Sequence, residues 1–361
     1  MTLLATLREL TALPGPSGAE REVALAFAKH LRAVTDEVTL DPFGNVVGTL
    51  RGDDAQATLM ISAHTDEVGL IVKHVEADGV LRVDLNGLID ERVTLATPVD
   101  VWARRGPLAG VVGARSRHHL TPEELARPLD TMDLWVHVGA ASADEARALG
   151  VRIGDLITFK PNFQELAGGW VASKALDDRA GLAVVLEALR DLPRRNFDIH
   201  VVGAAQEEVG SRGARVAAQT LRPHVAISVD TVAGAEPGTP RARAPQVCGG
   251  GPVLRAWEWM SGSMTGTAYD RRLFERAQDL AEAAGVPHQL DIARTWTDAC
   301  GIAPTGHGVP TAGLYIPRRC AHSPCELAKL SDLEQAVRLL QALLAGLDGR
   351  ELRELASPTR L

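Results

Sequence analysis

Cysteines and aromatic residues are scarce in this chain, and charge of one sign is nowhere concentrated. Four cysteines in 361 residues do not form the disulfide framework of a small secreted domain, so we expect a reducing, cytoplasmic compartment. The formal net charge of −8 comes without a basic patch, so we expect no nucleic-acid partner. The aromatic content of 4% disfavours a cleft that stacks sugars.

Long hydrophobic runs and several common enzyme motifs are also missing. No apolar run approaches the ~20 residues of a membrane span, so we expect no membrane partner. Arg8 and Glu9 interrupt the apolar start of the chain, so we expect no secretory signal. The sequence contains no G-x-S-x-G elbow, no P-loop and no G-x-G-x-x-G fingerprint, which argues against serine hydrolases and nucleotide-binding classes.

The hydrophobic pattern divides the chain into three segments. Residues 1–66 and 169–361 alternate between predicted strands, such as Leu59–Ala63, and predicted helices, which indicates an α/β sheet. Residues 67–168 contain many short strands instead, and Leu81–Leu85 alternates between apolar and polar residues as a half-buried strand does. Because 361 residues exceed the roughly 250–300 of a single core, we predict an α/β domain interrupted by a small β-barrel or sandwich.

A breaker cluster near the start of the chain is followed by a helix signal. Ser17, with Glu20 three residues later, has the form of a capping box. Val23, Phe27 and Leu31 then give the apolar stripe of a helix. The sequence therefore predicts a helix that opens at Ser17.

Acidic and histidine residues stand at the ends of several predicted elements. The motifs are His64-Thr65-Asp66, Asp177-Asp178-Arg179, Glu207-Glu208, Asp230 and His322. In open α/β sheets, binding sites form beyond the carboxyl ends of the strands, so residues distant in sequence converge there. His, Asp and Glu are ligands for zinc and similar ions, and two such ions can share a bridging carboxylate. Taken singly, each residue is more often a turn, helix-cap or structural residue, so the ordered set carries the hypothesis of a two-metal site.

The ordered set of motifs resembles a known family. The motifs are Ser62–Gly69, Ala175–Gly181, Ala205–Gly210, Ser228–Asp230, Gly250–Pro252, Thr297–Ala299 and His322–Glu326, with Gly110–Gly113 and Leu149–Asp155 in the insert. Over nearly the whole chain, the sequence is similar to the tetrahedral (TET) type of dinuclear aminopeptidase. This family comprises glutamyl, lysyl and deblocking aminopeptidases, and some of its members are labelled endoglucanases. The resemblance implies a central mixed sheet flanked by helices, as in zinc exopeptidases, with a PDZ-like β-barrel inserted at residues 67–168.

The resemblance also implies the metal ligands. His64 and Asp230 would bind one metal, Glu208 and His322 would bind the other, and Asp177 would bridge them. The cofactors expected are two divalent metal ions per subunit, with zinc as the first choice and cobalt or manganese as alternatives.

Two further residues receive catalytic roles from the same resemblance. Glu207 would be the general base and acid, because a carboxylate outside the ligand set can take a proton from water and pass it to the leaving amine. Asp66 would stand behind His64 and fix its tautomer. Asp178, beside the bridge, would either support the ligands from behind or cap the following helix.

The implied function is removal of N-terminal residues from peptides by a water molecule activated between two metals. Family members commonly assemble from dimers into dodecamers, so the insert would be a dimerisation domain of a homo-oligomer that admits peptides and excludes folded proteins. A plain stabilising role for the insert remains an alternative.

Several alternatives stay open at this point. The main alternative function is another two-metal amide hydrolase, such as a deacylase or carboxypeptidase. A glycosidase with Glu207 as one of its carboxylates would need no metal, and a non-catalytic assembly protein would not need the complete site. The long β insert and the His322-Ser-Pro motif favour the aminopeptidase.

The roles of three arginines and two cysteines also stay open. Arg294, Arg318 and Arg319 either face a substrate carboxylate or form surface salt bridges. Cys320 and Cys325 flank His322, so they either form a zinc motif of their own or tune the site through oxidation.

Overall fold

The computed structural model describes residues 2–53, 55–262 and 264–357, and strands alternate with helices through most of them. The strands are β1 (Val38–Leu40), β2 (Val46–Leu50), β3 (Thr58–His64), β4 (Gly69–Val75), β5 (Leu81–Asn86), β6 (Pro98–Ala103), β7 (Gly106–Gly113), β8 (Trp135–His137), β9 (Leu156–Phe159), β10 (Gln164–Leu166), β11 (Trp170–Ser173), β12 (Asp198–Ala204), β13 (Val225–Ala233), β14 (Val253–Met260), β15 (Thr265–Ala268), β16 (Gln289–Ala293), β17 (Thr311–Arg319) and β18 (Glu326–Lys329). The helices are α1 (Leu3–Ala12), α2 (Arg21–Leu31), α3 (Glu91–Thr94), α4 (Pro122–Ala126), α5 (Ala143–Leu149), α6 (Leu176–Ala188), α7 (Arg212–Leu221), α8 (Arg271–Ala283), α9 (Asp298–Ile302), α10 (Leu330–Gly346) and α11 (Gly349–Ala356).

Among the described residues, twelve strands form one mixed sheet. Its main path runs β1–β2–β12–β3–β13–β17–β18–β11–β10, and β14 joins it at β17 with β15 and β16 alongside. The central strands β12, β3, β13 and β17 are parallel, whereas their outer neighbours are antiparallel. His64, the last residue of β3, is in register with Ala204, the last residue of β12. Residues that follow the parallel strands therefore meet at one edge of the sheet.

Helices cover both faces of this sheet. Along β3, Leu59 and Ile61 belong to the core that includes residues of α1, α6 and α10, whereas Met60 belongs to a second core with α7 and α9. This alternation is the period-two geometry of a strand buried on both sides. The predicted α/β domain with a helix-flanked mixed sheet is confirmed. None of the described helices combines the length and the apolar stretch that a bilayer crossing needs.

The segment between β3 and β10 forms a closed barrel, in which the six described strands follow the order β4–β5–β8–β7–β6–β9. Its core includes Leu70, Val101, Val136 and Ile157, which point inward as alternate residues of their strands. All six strands lie inside the predicted insert, residues 67–168, whereas β10 near the end of that range pairs with β11 of the large sheet. The predicted inserted β-barrel is confirmed, and the boundaries of the insert stay a prediction.

A buried ion pair, called here the neck, lies where the chain passes from β3 of the large sheet toward the barrel. Lys174 Nζ lies 2.8 Å and 2.7 Å from the two carboxylate oxygens of Glu67. The backbone amide of Gly15 donates a further hydrogen bond of 2.9 Å to Glu67 Oε1. The neck therefore joins the segment that follows His64 to the segment that precedes Asp177.

The predicted helix start at Ser17 is wrong. Helix α2 begins at Arg21, and the side chain of its N-cap residue, Glu20, makes no hydrogen bond to the helix. Ser17 Oγ instead donates a 2.6 Å hydrogen bond to Asp66 Oδ2, and Glu20 Oε1 accepts from the amide of Gln206 at 3.2 Å. A charge-assisted bond to a buried carboxylate is stronger than a neutral capping bond, so the Ser17 hydroxyl binds Asp66 instead of capping the helix.

Candidate functional site

The six side chains predicted as metal ligands and general base lie together at the carboxyl edge of the parallel strands. They are His64 at the end of β3, Asp177 in the first turn of α6, Glu207 and Glu208 after β12, Asp230 in β13 and His322 after β17. The ligand atoms of five of them form two groups, each within 4.8 Å, and Asp177 belongs to both. The first triad is His64–Asp177–Asp230, and the second triad is Asp177–Glu208–His322.

The first triad presents one imidazole nitrogen and two carboxylates to the same point. His64 Nε2 lies 3.1 Å from Asp177 Oδ1 and 3.7 Å from Asp230 Oδ1. Its other nitrogen, Nδ1, lies 3.2 Å from the backbone oxygen of Asp66 and 3.3 Å from Asp66 Oδ1. Burial lowers the pKa of His64, but the carboxylates of Asp177, Asp230 and Asp66 outweigh burial and raise that pKa well above its usual value. The ring is therefore held from both sides, with Nε2 directed toward Asp177 and Asp230.

The second triad contains a buried carboxylate oxygen without a partner. His322 Nε2 lies 3.2 Å from Asp177 Oδ2 and 3.6 Å from Glu208 Oε2. Glu208 Oε1 is buried and accepts no hydrogen bond from the described part of the chain. Burial raises the pKa of Glu208 to about 7, although the nearby His322 opposes this shift. Burial lowers the pKa of His322, but Glu208 and Asp177 outweigh it and raise that pKa to about 9.

Asp177 turns one oxygen to each triad, because the backbone departs from helical geometry where α6 begins. Asp177 (φ −82°, ψ 108°) and Asp178 (φ −117°, ψ 39°) both lie outside the helical region. Asp178 Oδ1 accepts a 2.9 Å hydrogen bond from the amide of Gly181, and Asp178 Oδ2 accepts one of 3.3 Å from the amide of His64. Asp178 thus both caps the helix and holds the backbone of His64, so the two interpretations left open by the sequence hold together.

The donor set fits a pair of divalent cations. Imidazole nitrogens and carboxylate oxygens converge at two points that share Asp177, which is the arrangement of two-metal hydrolytic sites. A buried polar atom needs a partner, and Glu208 Oε1 accepts no hydrogen bond from any described donor, so a cation would satisfy it. The residues present are therefore able to hold one cation at each triad.

Glu207 lines the same cavity as four of the predicted ligands. This cavity has a volume of about 1090 Å³. The Glu207 amide donates to Asp66 Oδ1 at 2.9 Å, and Glu207 Oε1 accepts from the hydroxyl of Ser211 at 3.2 Å. Burial raises the pKa of Glu207 well above its usual value, and the nearby His64 offsets the shift only in part. Further lining residues are Leu88, Arg243, Trp257, Trp259, Arg294 and Trp296.

Asp66 holds three segments of the site at once. Besides facing His64, its carboxylate accepts hydrogen bonds from the amide of Glu207 at 2.9 Å, the amide of Glu208 at 3.0 Å and the hydroxyl of Ser17 at 2.6 Å. Burial raises the pKa of Asp66, but the nearby His64 and the hydrogen bonds from Ser17 and the Glu207 amide outweigh burial. The pKa of Asp66 is therefore lowered below its usual value. One buried carboxylate thus fixes the predicted base and two predicted ligands.

Glu326, like Asp66, is a carboxylate that accepts hydrogen bonds from backbone amides of the site, and the sequence did not reveal this role. Glu326 Oε2 accepts a 2.9 Å hydrogen bond from the amide of Asp177, and Glu326 Oε1 accepts one of 3.0 Å from the amide of His322. Its place in the motif His322–Glu326 was the available signal. The Glu326 carboxylate therefore holds the backbone of Asp177 and His322, two of the three residues of the second triad.

Asp298 is a second carboxylate whose position the sequence did not reveal. Its Oδ2 accepts a 2.6 Å hydrogen bond from Ser62 Oγ, and its buried Oδ1 has no partner in the described ranges. Burial raises the pKa of Asp298 to about 7, with His64 opposing the shift. Its motif, Thr297–Ala299, carried the resemblance without indicating a role.

The three arginines left open by the sequence take different positions. Arg294 is exposed and lines the cavity. Arg319 stands over the ring of Trp170 at 5.2 Å, outside the site. Arg318 is buried in contact with Asp177, so it is not a surface salt-bridge residue.

The two cysteines beside His322 form no metal group. Cys320 and Cys325 are exposed, and neither belongs to a set of described residues with metal-ligand geometry. Burial, with Glu236 near Cys320 and Glu326 near Cys325, raises both thiol pKa values. A raised pKa lowers the thiolate fraction and hence the reactivity toward oxidants.

Comparison with known proteins identifies the family. A family model described as M42 glutamyl aminopeptidase matches residues 44–339. Lysyl aminopeptidase of Pyrococcus furiosus is 34% identical over 343 residues, which are 94% of this chain and 95% of the relative.

Solved structures give the same result. An aminopeptidase from the archaeon Desulfurococcus kamchatkensis has a TM-score of 0.92 and 33% identity, covering 98% of this chain and 97% of its own. The TET1 peptidase of Pyrococcus horikoshii, which can assemble into a tetrahedron or a large octahedral shell, has a TM-score of 0.83 and 31% identity, covering 95% of this chain and 99% of its own. The resemblance inferred from the motifs is confirmed, and the chain belongs to the M42 family of aminopeptidases and is a peptide-bond hydrolase.

Proposed function

We propose that this chain is an aminopeptidase that works with two divalent cations, one at each triad, and that zinc is the first candidate, with cobalt or manganese as alternatives. The observation that carries the proposal is the orientation of the Asp177 carboxylate. Its Oδ1 faces His64 and its Oδ2 faces His322. Asp177 is thus the bridging ligand, His64 and Asp230 complete one site, and Glu208 and His322 complete the other.

Glu207 is the catalytic base and acid in this proposal. The bound cations would supply Lewis acidity, which lowers the pKa of a water molecule and polarises the peptide carbonyl. Glu207 takes a proton from the attacking water at its carboxylate and returns it to the amine that leaves. Its side chain lines the cavity beside the triads, and its raised pKa suits a group that must carry a proton near neutral pH.

Asp66 supports this chemistry without being a ligand. With Asp66 beside Nδ1, the Nε2 atom of His64 keeps its lone pair available for a cation. The hydrogen bonds from the amides of Glu207 and Glu208 to the Asp66 carboxylate keep the base and its neighbouring ligand in fixed relative positions. Adjacent residues can then serve different roles, because their side chains leave the backbone in different directions.

A substrate panel with metals removed and added back tests the proposal. We expect peptides and aminoacyl amides with a free N-terminus to be cleaved only after zinc, cobalt or manganese is restored. Cleavage of N-acetylated peptides in preference to free ones would favour a deacylase or carboxypeptidase instead. Hydrolysis of a soluble glucan by fully metal-stripped protein would favour the glycosidase, whose mechanism needs no metal.

The barrel and the compartment complete the proposal. We propose that the barrel mediates dimerisation and that dimers assemble into a dodecamer; exposed apolar residues on the insert, including Met132 at 69% and Ile153 at 70%, support an interface there. Sedimentation of the full chain as a monomer would contradict the assembly.

The cysteines within the described residues are all unpaired, which supports a reducing, cytoplasmic compartment.

A further inference from the structure

Arg318 is a buried cation that the chemistry proposed above does not use. It lies in β17, and its side chain is only 4% exposed. Its Nε donates to Thr231 Oγ1 at 2.5 Å, and its Nη1 lies 3.0 Å from Glu326 Oε1. A buried guanidinium keeps its charge, so its placement among the ligands affects the site permanently.

The guanidinium and the second triad share one atom. Arg318 Nη2 is in contact with Asp177 Oδ2, which is the same oxygen that His322 Nε2 faces at 3.2 Å. The other oxygen of Asp177 is directed to His64 of the first triad, and the hydrogen bond from this guanidinium goes to Oδ2. The positive charge is therefore placed asymmetrically, beside the second triad.

The arginine is only partly satisfied in this arrangement. Although Nη1 lies within ion-pair distance of Glu326, it makes no aligned hydrogen bond to any described residue, and neither does the nearby Glu208 Oε1. Each of these two buried atoms thus lacks an aligned hydrogen bond while Arg318 Nη2 is directed to Asp177. This pattern is expected of a group that alternates with another cation at the same carboxylate, since a purely structural ion pair would satisfy both partners.

We propose that Arg318 is an internal competitor for the cation of the second triad. As a positioning residue, it neutralises Asp177 Oδ2 when that cation is away and repels the cation when it arrives, because like charges in a buried site interact strongly. The inference rests on the proposed two-cation function. Its consequence is that the second cation binds more weakly than the first, by a factor that Arg318 sets.

Metal titration of full-length variants tests the inference. Metal-free protein is titrated with Zn²⁺ and separately with Mn²⁺ against a chelator of known affinity, and bound metal is counted by elemental analysis. In Arg318→Met, we expect the second equivalent to bind about 10- to 100-fold more tightly, a change of the same size as the losses usual for residues just behind a metal site but of opposite sign. The first equivalent should change by less than about threefold, because its ligands do not include Asp177 Oδ2.

Two control variants separate position from net charge. Arg319→Met removes the same charge one residue away, where the guanidinium stands over Trp170 and Nε donates to the backbone oxygen of Ala235. Arg318→Lys keeps a positive charge at the position itself. We expect both to retain the parent's weak second equivalent.

The outcomes distinguish this inference from the function on which it rests. Unchanged or weaker binding of the second equivalent in Arg318→Met, or an equal gain in Arg319→Met, overturns the role of Arg318 alone. A parent protein that binds only one cation at saturation overturns the two-cation function itself. If Arg318→Met does not fold, Arg318→Gln removes the charge while keeping a polar side chain beside Thr231, and the same gain in second-site affinity is then required.

Discussion

The carboxylate of Glu326 accepts a hydrogen bond of 2.9 Å from the backbone amide of Asp177. Its second oxygen does the same for His322, so one buried group fixes two segments that are far apart in sequence. Asp66 does this for Glu207 and Glu208. Two buried carboxylates, Glu326 and Asp66, therefore hold four backbone amides of the site in place.

Replacing Glu326 with alanine should destabilise both the fold and the second triad. The change leaves two amides without an acceptor and removes one of the two carboxylates that face Arg318, which costs about 3–5 kcal/mol of unfolding free energy for a buried pair. Cation affinity should fall by about 10- to 100-fold. Urea unfolding and metal titration measure the two effects. Glu165→Ala, which breaks an ion pair with Arg8 that is more than half exposed on both sides, is the control and should change neither.

Asp177→Asn and Asp230→Asn should differ in how many cations they lose. Asp177 belongs to both triads, so its variant should lose both cations at metal concentrations that saturate the parent. Asp230 belongs only to the first triad, so its variant should keep the cation of the second. Elemental analysis after equilibrium dialysis counts the cations, and Asp191→Asn at an exposed position is the control. Full occupancy in Asp177→Asn would refute the bridge.

Glu207→Gln should keep the cations and lose turnover. The amide cannot accept the proton from water, and general acid–base help is worth about 10²–10⁴-fold in rate. The Asp66 carboxylate binds the backbone of residue 207, so the substitution leaves that contact in place. Steady-state kinetics on a free-amine substrate, with metal content measured on the same sample, checks both parts. Turnover within a few-fold of the parent would show that another group moves the proton.

Metal-free protein should become less stable as pH rises from 7 to 9. The pKa values of Glu208 and Asp298 are raised to about 7 and that of His322 to about 9, so the folded state holds these protons more tightly than the unfolded chain does. Groups with a raised folded-state pKa stabilise at low pH and lose that contribution as pH rises through the folded-state value. The thermal unfolding midpoint of chelator-treated protein, measured at pH 7, 8 and 9, should therefore fall at each step.

Two further effects bear on the pH experiment: histidines whose pKa is lowered, and bound zinc. Burial lowers the pKa values of His200 and His224, which acts with the opposite sign, but that effect lies below about pH 6.5 and outside the window. Zinc-loaded protein should show a smaller change, because a bound cation keeps its ligands deprotonated. A midpoint that rises from pH 7 to 9 in metal-free protein would contradict the assigned pKa directions.

Local pattern was enough to locate the central strand β3 and the polar residues at its end. The buried run Leu59–Ala63 predicted β3, and the polar residues directly after it marked the sheet edge where His64 and Asp66 now lie. Such features depend on alternation and on strand direction, and both can be read from neighbouring residues. The ordered motifs then sufficed to indicate the family.

The hydrogen-bond partners within the site were not predictable in the same way. Ser17 matched a local capping motif, yet its hydroxyl binds Asp66, because a buried charge nearly fifty residues away offers the stronger bond. Arg318 and its neighbour Arg319 look alike in sequence, but alternation along β17 sends one into the ligands and the other over Trp170. These choices depend on which distant segments meet, and a single sequence does not state that.

The neck gives the barrel the character of an exchangeable cassette. Glu67 lies in the connection that enters the barrel, and the connection that leaves it contains Asn162, whose Oδ1 accepts a 2.7 Å hydrogen bond from the amide of Lys174. Both connections therefore meet the larger sheet at the neck. A barrel of different length or loop pattern could be grafted there without stretching the segments that carry His64 and Asp177. Descent with modification, or protein engineering, could thus vary the barrel and leave the candidate site untouched.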